Sequence, residues 1–132
     1  MNMIRLTLIC FLITSLSFSQ EQEKKEAPWN VMYPEFMAQD AAEYFDEFNM
    51  LWSDESPIEA KEGRLVAIAV SAAIRCEYCI AAQIEFAKKV GASDDEIKAA
   101  IQIAAEIQRF STLLYGNEFD VETFNKIIGR DN

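Results

Sequence analysis

Histidine is missing from all 132 residues, which removes the side chain most often used as a general base near neutral pH and as a metal ligand. Cysteine is nearly as scarce. Of three thiols, Cys10 sits in an apolar N-terminal run, and the other two stand close together at positions 76 and 79. Two thiols fall short of the four ligands that a closed zinc site takes, so no metal and no other cofactor is expected. Positive charge is short too. All 22 acidic residues lie beyond position 20, Arg5 is the one base before it, and the whole chain carries −10. Such a surface repels phosphate backbones and argues against nucleic acid as a partner. Strand-like alternation of useful length is absent as well, so the expected fold is all-α.

The chain opens with Arg5, an apolar stretch from Leu6 to Leu16 and a small, polar exit, Ser17-Phe18-Ser19-Gln20. That pattern predicts a secretory signal peptide over 1–20. The run is short for a membrane span. Cys10 follows Thr7-Leu8-Ile9 inside it, so it lacks the small-residue box of a lipoprotein. A retained anchor helix is the alternative. The expected product is exported, periplasmic or secreted, and holds no membrane after cleavage. Residues 21–28 are charged and aperiodic, as in a flexible linker, and 29–132 fit one domain.

Trp29, Val31, Met32, Tyr33 and Phe36 make an apolar arm around Pro34. From Met37 to Trp52, apolar residues recur at helical steps through Ala41, Phe45, Phe48 and Trp52. Ser56 and Glu59 suggest a capping box, with Pro57 opening a helix that reaches Ile74. Its second half, Leu65 to Ile74, is apolar on nearly every side, as in a central helix buried in the protein or in an oligomer. A further helix follows the cysteines and stops at Gly91. Ser93 and Glu96 form a second capping box for a helix from Asp94 to about Tyr115. Asp120 caps a last one, Val121 to Ile128. Five or six helices result, with the cysteine pair at the start of a central one.

Cys76-Glu77-Tyr78-Cys79 is the chemical centre. Two thiols spaced this closely at a helix start can form, break and exchange a disulfide. Export would leave such a pair oxidised at rest. The helix start favours the thiolate, Glu77 opposes it, and Arg75 would help if it turned inward. Gln83 shares a helix face with Cys79, four residues on.

The stretch Arg64-Leu65-Val66-Ala67-Ile68-Ala69-Val70-Ser71-Ala72-Ala73-Ile74-Arg75-Cys76-Glu77-Tyr78-Cys79-Ile80-Ala81-Ala82-Gln83, continued by Gly91-Ala92-Ser93-Asp94-Asp95-Glu96-Ile97, resembles the alkyl hydroperoxidase D-like and carboxymuconolactone decarboxylase proteins over residues 64–115. The resemblance implies an all-helical, usually oligomeric bundle whose CxxC reduces peroxides. Cys79 would attack the peroxide and become a sulfenic acid, Cys76 would resolve it into a disulfide, and an external thiol reductant would restore the pair. The decarboxylase members use a different residue set, for which this chain offers no support.

Two positions depart from the family pattern. Its proton relay has a glutamate twelve residues before the first cysteine and a histidine four after the second. Here those places hold Arg64 and Gln83, neither of which relays protons near neutral pH. Glu62 is near in sequence but turned by about 200° on the helix. Arg64 offers instead a positive charge to stabilise a thiolate. The expected function is therefore a thiol-dependent oxidoreductase with peroxiredoxin-like activity, acting on a hydroperoxide. The alternatives are an exported dithiol–disulfide exchange protein with a disulfide substrate, and a helical scaffold with an idle disulfide. Catalysis is expected at Cys79 and Cys76, with Gln83 and Arg64 in support. Tyr78, Tyr115 and Glu106 are read as packing or solvated positions, and self-association as a homo-oligomer is expected.

Overall fold

A computed structural model describes residues 27–130. The leader, 21–26 of the expected linker and residues 131–132 lie outside them. The chain divides into two compact units, one ending at Ala42 and one beginning at Glu43. In the first, 3-10 turns span Pro28–Met32 and Glu35–Met37, so Pro28 belongs to a turn of the aromatic arm. Ala38, Ala41 and Ala42 are buried.

Among the described residues five α-helices follow in chain order: α1 (Ala38–Asn49), α2 (Ala60–Ala73), α3 (Glu77–Lys89), α4 (Asp94–Gly116) and α5 (Val121–Ile127). No strand occurs among the described residues, in agreement with the all-α expectation. None of their helices is long and apolar enough to cross a membrane. After α1, Met50–Trp52 tighten into a 3-10 turn.

The start of α2 differs from the sequence expectation. Ser56 and Glu59 make no capping box and Pro57 is not helical. The helix begins at Ala60, with Glu59 at the cap. The hydroxyl that would have capped it is spent on a local turn, as is that of Ser53. Ser56 Oγ accepts the Ile58 N–H at 3.3 Å, and Ser53 Oγ accepts the Glu55 N–H at 3.2 Å. Such side-chain bonds compete with helix nucleation. By contrast, the Ser93–Glu96 capping box at α4 is complete, and Asp120 caps α5 through the Thr123 N–H.

Within the second unit α2 is central, packed on both α3 and α4. The core sets alanines beside isoleucine and leucine: Ile68, Ala87, Ala92, Ile97 and Ala100 are buried, with Leu65, Ala69 and Ile84 against them. The outer stripe of α2, Val66, Val70 and Ile74, stays exposed in the single chain. An apolar cleft of about 470 Å³ opens between the end of α4 and α5, lined by Ile107, Phe110, Leu114, Tyr115, Phe119 and Phe124 among others.

Candidate redox site at the start of α3

Helix α2 has to stop before the cysteines, and it does so without glycine. The Cys76 N–H reaches back to the Ser71 carbonyl at 3.0 Å and the Arg75 N–H to that of Ala72 at 3.2 Å. These are the paired bonds of a Schellman motif, which places one residue in the left-handed region. At the end of α3 that residue is Gly91, with φ 87°. At the end of α2 it is Arg75, with φ 58°. Left-handed backbone costs a non-glycine residue about 1–2 kcal/mol. Gln108 of α4 braces the same turn, its Nε2 donating to the Ala73 carbonyl at 2.6 Å.

The tight turn delivers Cys76 to the cap position of α3, where its Sγ accepts the Cys79 N–H at 3.2 Å. The two cysteines form a disulfide across 5.2 Å between Cα atoms. Both are half-buried, while Glu77 and Tyr78 between them face solvent. Arg75 is exposed, so it does not turn inward over the pair.

One turn beyond Cys79, Gln83 meets Arg64 of α2. The guanidinium Nη1 donates to Gln83 Oε1 at 2.9 Å. The two residues at the family's relay positions are therefore bonded to one another. The guanidinium carbon also lies 3.8 Å from the Trp52 ring centroid and 4.7 Å from that of Phe86, a cation–π arrangement. Burial pushes the Arg64 pKa below its ordinary value, but a guanidinium keeps its proton near neutrality. Trp52 comes this near because Gly63 lacks a side chain: a Cβ there would lie 3.2 Å from the indole.

With its oxygen turned to Arg64, Gln83 presents its NH₂ end as a donor. Arg64, Gln83 and the first N–H groups of α3 together can steady negative charge but cannot shuttle a proton. Glu62 is exposed, as its helical offset implies. Tyr78 is 92% exposed, Tyr115 lines the distal cleft, and Glu106 is held by Arg109 at 2.7 Å and Gln102 at 3.0 Å. As neighbours of the site, Trp52, Phe86 and Gln108 escaped the sequence reading. The signal for Trp52 was Gly63, since a glycine inside a helical pattern usually has a packing reason.

Among the described residues no group of three or more His, Cys, Asp or Glu could hold a metal ion. A family model described as carboxymuconolactone decarboxylase family matches residues 39–118. "Uncharacterized protein 4 in cox locus" of Paracoccus denitrificans is 27% identical over 64 residues, which are 48% of this chain and 58% of that protein. The match therefore spans little more than half the length of that relative. No solved structure matches the chain.

Proposed function

Since the chain belongs to the carboxymuconolactone decarboxylase family, we propose that it is a thiol-dependent oxidoreductase with peroxiredoxin-like activity, cycling Cys76 and Cys79 between dithiol and disulfide. The observation that carries this is the disulfide at the cap of α3, half-buried and placed where backbone N–H groups favour a thiolate. In the cycle the Cys79 thiolate attacks the terminal peroxide oxygen. The O–O bond breaks, Cys79 becomes a sulfenic acid, and the alkoxide takes a proton from solvent. Cys76 then attacks the Cys79 sulfur, forming the S–S bond and expelling water with the thiol proton. An external dithiol returns two electrons and two protons.

The Arg64–Gln83 bond favours a second reading, dithiol–disulfide exchange. An alkoxide or hydroxide leaving group has a conjugate acid near the pKa of about 15.7 of water and needs a proton donor. A thiolate, with a thiol pKa of about 8.5, leaves without one. A site lacking a relay suits the second leaving group better. Either reaction fits an exported protein, and the exposed Val66–Val70–Ile74 stripe supports self-association as a homo-oligomer.

The experiment is thiol counting on the reduced protein. Stoichiometric loss of two thiols on adding hydroperoxide supports peroxide reduction, and catalysed reshuffling of a scrambled disulfide protein without peroxide supports exchange. Cys79→Ser protein that equals wild type in both assays would leave only the scaffold reading.

A further inference from the structure

Arg64 is a half-buried cation in a strongly acidic chain, and the contacts recorded for its guanidinium are an amide oxygen and two aromatic rings. Its hydrogen-bond partner is an amide oxygen, which takes one of its five N–H donors. Ion pairs among the described residues of this unit join Lys61 with Glu96, Lys88 with Asp94, Lys98 with Asp95 and Arg109 with Glu106. A partly desolvated guanidinium pinned between Trp52 and Phe86 has exchanged water for a neutral amide and two ring faces, which leaves it receptive to a carboxylate. Lys89 adds a second cation on the Phe86 side, its Nζ 5.5 Å from the ring.

We propose that Arg64 is the specificity-determining residue of the redox site and takes the carboxylate of an acidic substrate while that substrate reacts at the cysteines one turn away from Gln83. The inference rests on the oxidoreductase reading and names the substrate class for it: a carboxylate-bearing hydroperoxide or a carboxylate-bearing disulfide. The aromatic rings and Gln83 hold the guanidinium plane so that its remaining N–H edge meets a carboxylate in the two-pronged geometry arginine favours.

Two pairs of probes separate the sources. Reduced protein is oxidised by linoleic acid hydroperoxide or its methyl ester, and by dithiodipropionate or hydroxyethyl disulfide. A charge-assisted bond predicts a preference of about ten- to a hundredfold in kcat/KM for the acid member of at least one pair. Preference within the peroxide pair identifies a hydroperoxide substrate, and preference within the disulfide pair identifies a disulfide. In Arg64→Gln the acid-to-neutral ratio falls at least tenfold, while Arg64→Lys keeps part of it. Far-UV circular dichroism checks that both variants are folded. Equal reactivity of acid and neutral members, or a ratio unmoved by Arg64→Gln, overturns the proposal.

Binding is also read without turnover. In Trp29→Phe protein, Trp52 is the sole indole. Its fluorescence in the oxidised protein should respond saturably to dithiodipropionate, not to hydroxyethyl disulfide, and the response should vanish in Arg64→Gln. Should no probe oxidise the thiols, the oxidoreductase reading fails while this titration still decides whether Arg64 receives a carboxylate. Absence of the response there overturns the proposal.

Discussion

Restoring the missing proton carrier should convert this site into a fast peroxide reductase. Arg64 and Gln83 touch at 2.9 Å, so Arg64→Glu with Gln83→His would set a carboxylate and an imidazole within hydrogen-bond reach, one turn from Cys79. General acid–base help contributes about 10²–10⁴-fold where proton transfer limits the rate, and in the proposed peroxide cycle that step is departure of the alkoxide. Exchange with a small disulfide needs no such proton, so the pair of changes should move it by less than about tenfold. Stopped-flow oxidation of the reduced double variant by a neutral hydroperoxide at pH 7, beside the same variant with hydroxyethyl disulfide, reads both rates. Arg64→Glu alone should not accelerate peroxide reduction, because a carboxylate without the imidazole has no partner to pass a proton through. A double variant that keeps its helical content yet reduces peroxide no faster than wild type would refute the reasoning. It would mean that the proton never limited the reaction, or that the two positions do not address the thiol.

Three other outcomes follow from the fold. Arg75→Gly should raise stability by about 0.5–1 kcal/mol in chemical denaturation, since relief of left-handed strain exceeds the added chain entropy of glycine. Glu118, at φ 49° after α4, should respond alike. Gly63→Val should push the Trp52 ring off its seat, costing about 1–3 kcal/mol and shifting indole emission, and Arg64 should lose part of its anchoring with it. Hydrogen bonds from Lys61 and from the Ser93 backbone lower the Glu96 pKa from 4.5 to about 2. That contribution to stability is full above about pH 4.5 and fades as pH falls toward 2. Thermal melts of Glu96→Gln should therefore lie below wild type at neutral pH and converge with it under acid.

Most of the helical order could be read from the chain alone, because caps and apolar periods are local. Ser93 with Glu96, Asp120, Gly91 and Gly129 mark helix ends by chemistry that acts within four residues. The start of α2 was misread for the same reason: Ser56 and Glu59 have the right spacing for a box, but Ser56 has a nearer use in its own turn. Local bonds of similar strength compete there, and spacing does not rank them. The end of α2 carried no glycine to announce a left-handed residue at Arg75.

By itself the sequence determined that the chain is helical and that its two neighbouring thiols stand at a helix start. Both follow from residue type and short spacing, whereas the reading of Arg64 and Gln83 as relay positions came from the family resemblance. Only the tertiary structure decided that Arg64 and Gln83 meet, that Trp52 and Phe86 enclose the guanidinium, and that Gln108 braces the turn before Cys76. These contacts join residues 12 to 35 positions apart, and their formation depends on how α2 seats against its neighbours, which no local pattern encodes.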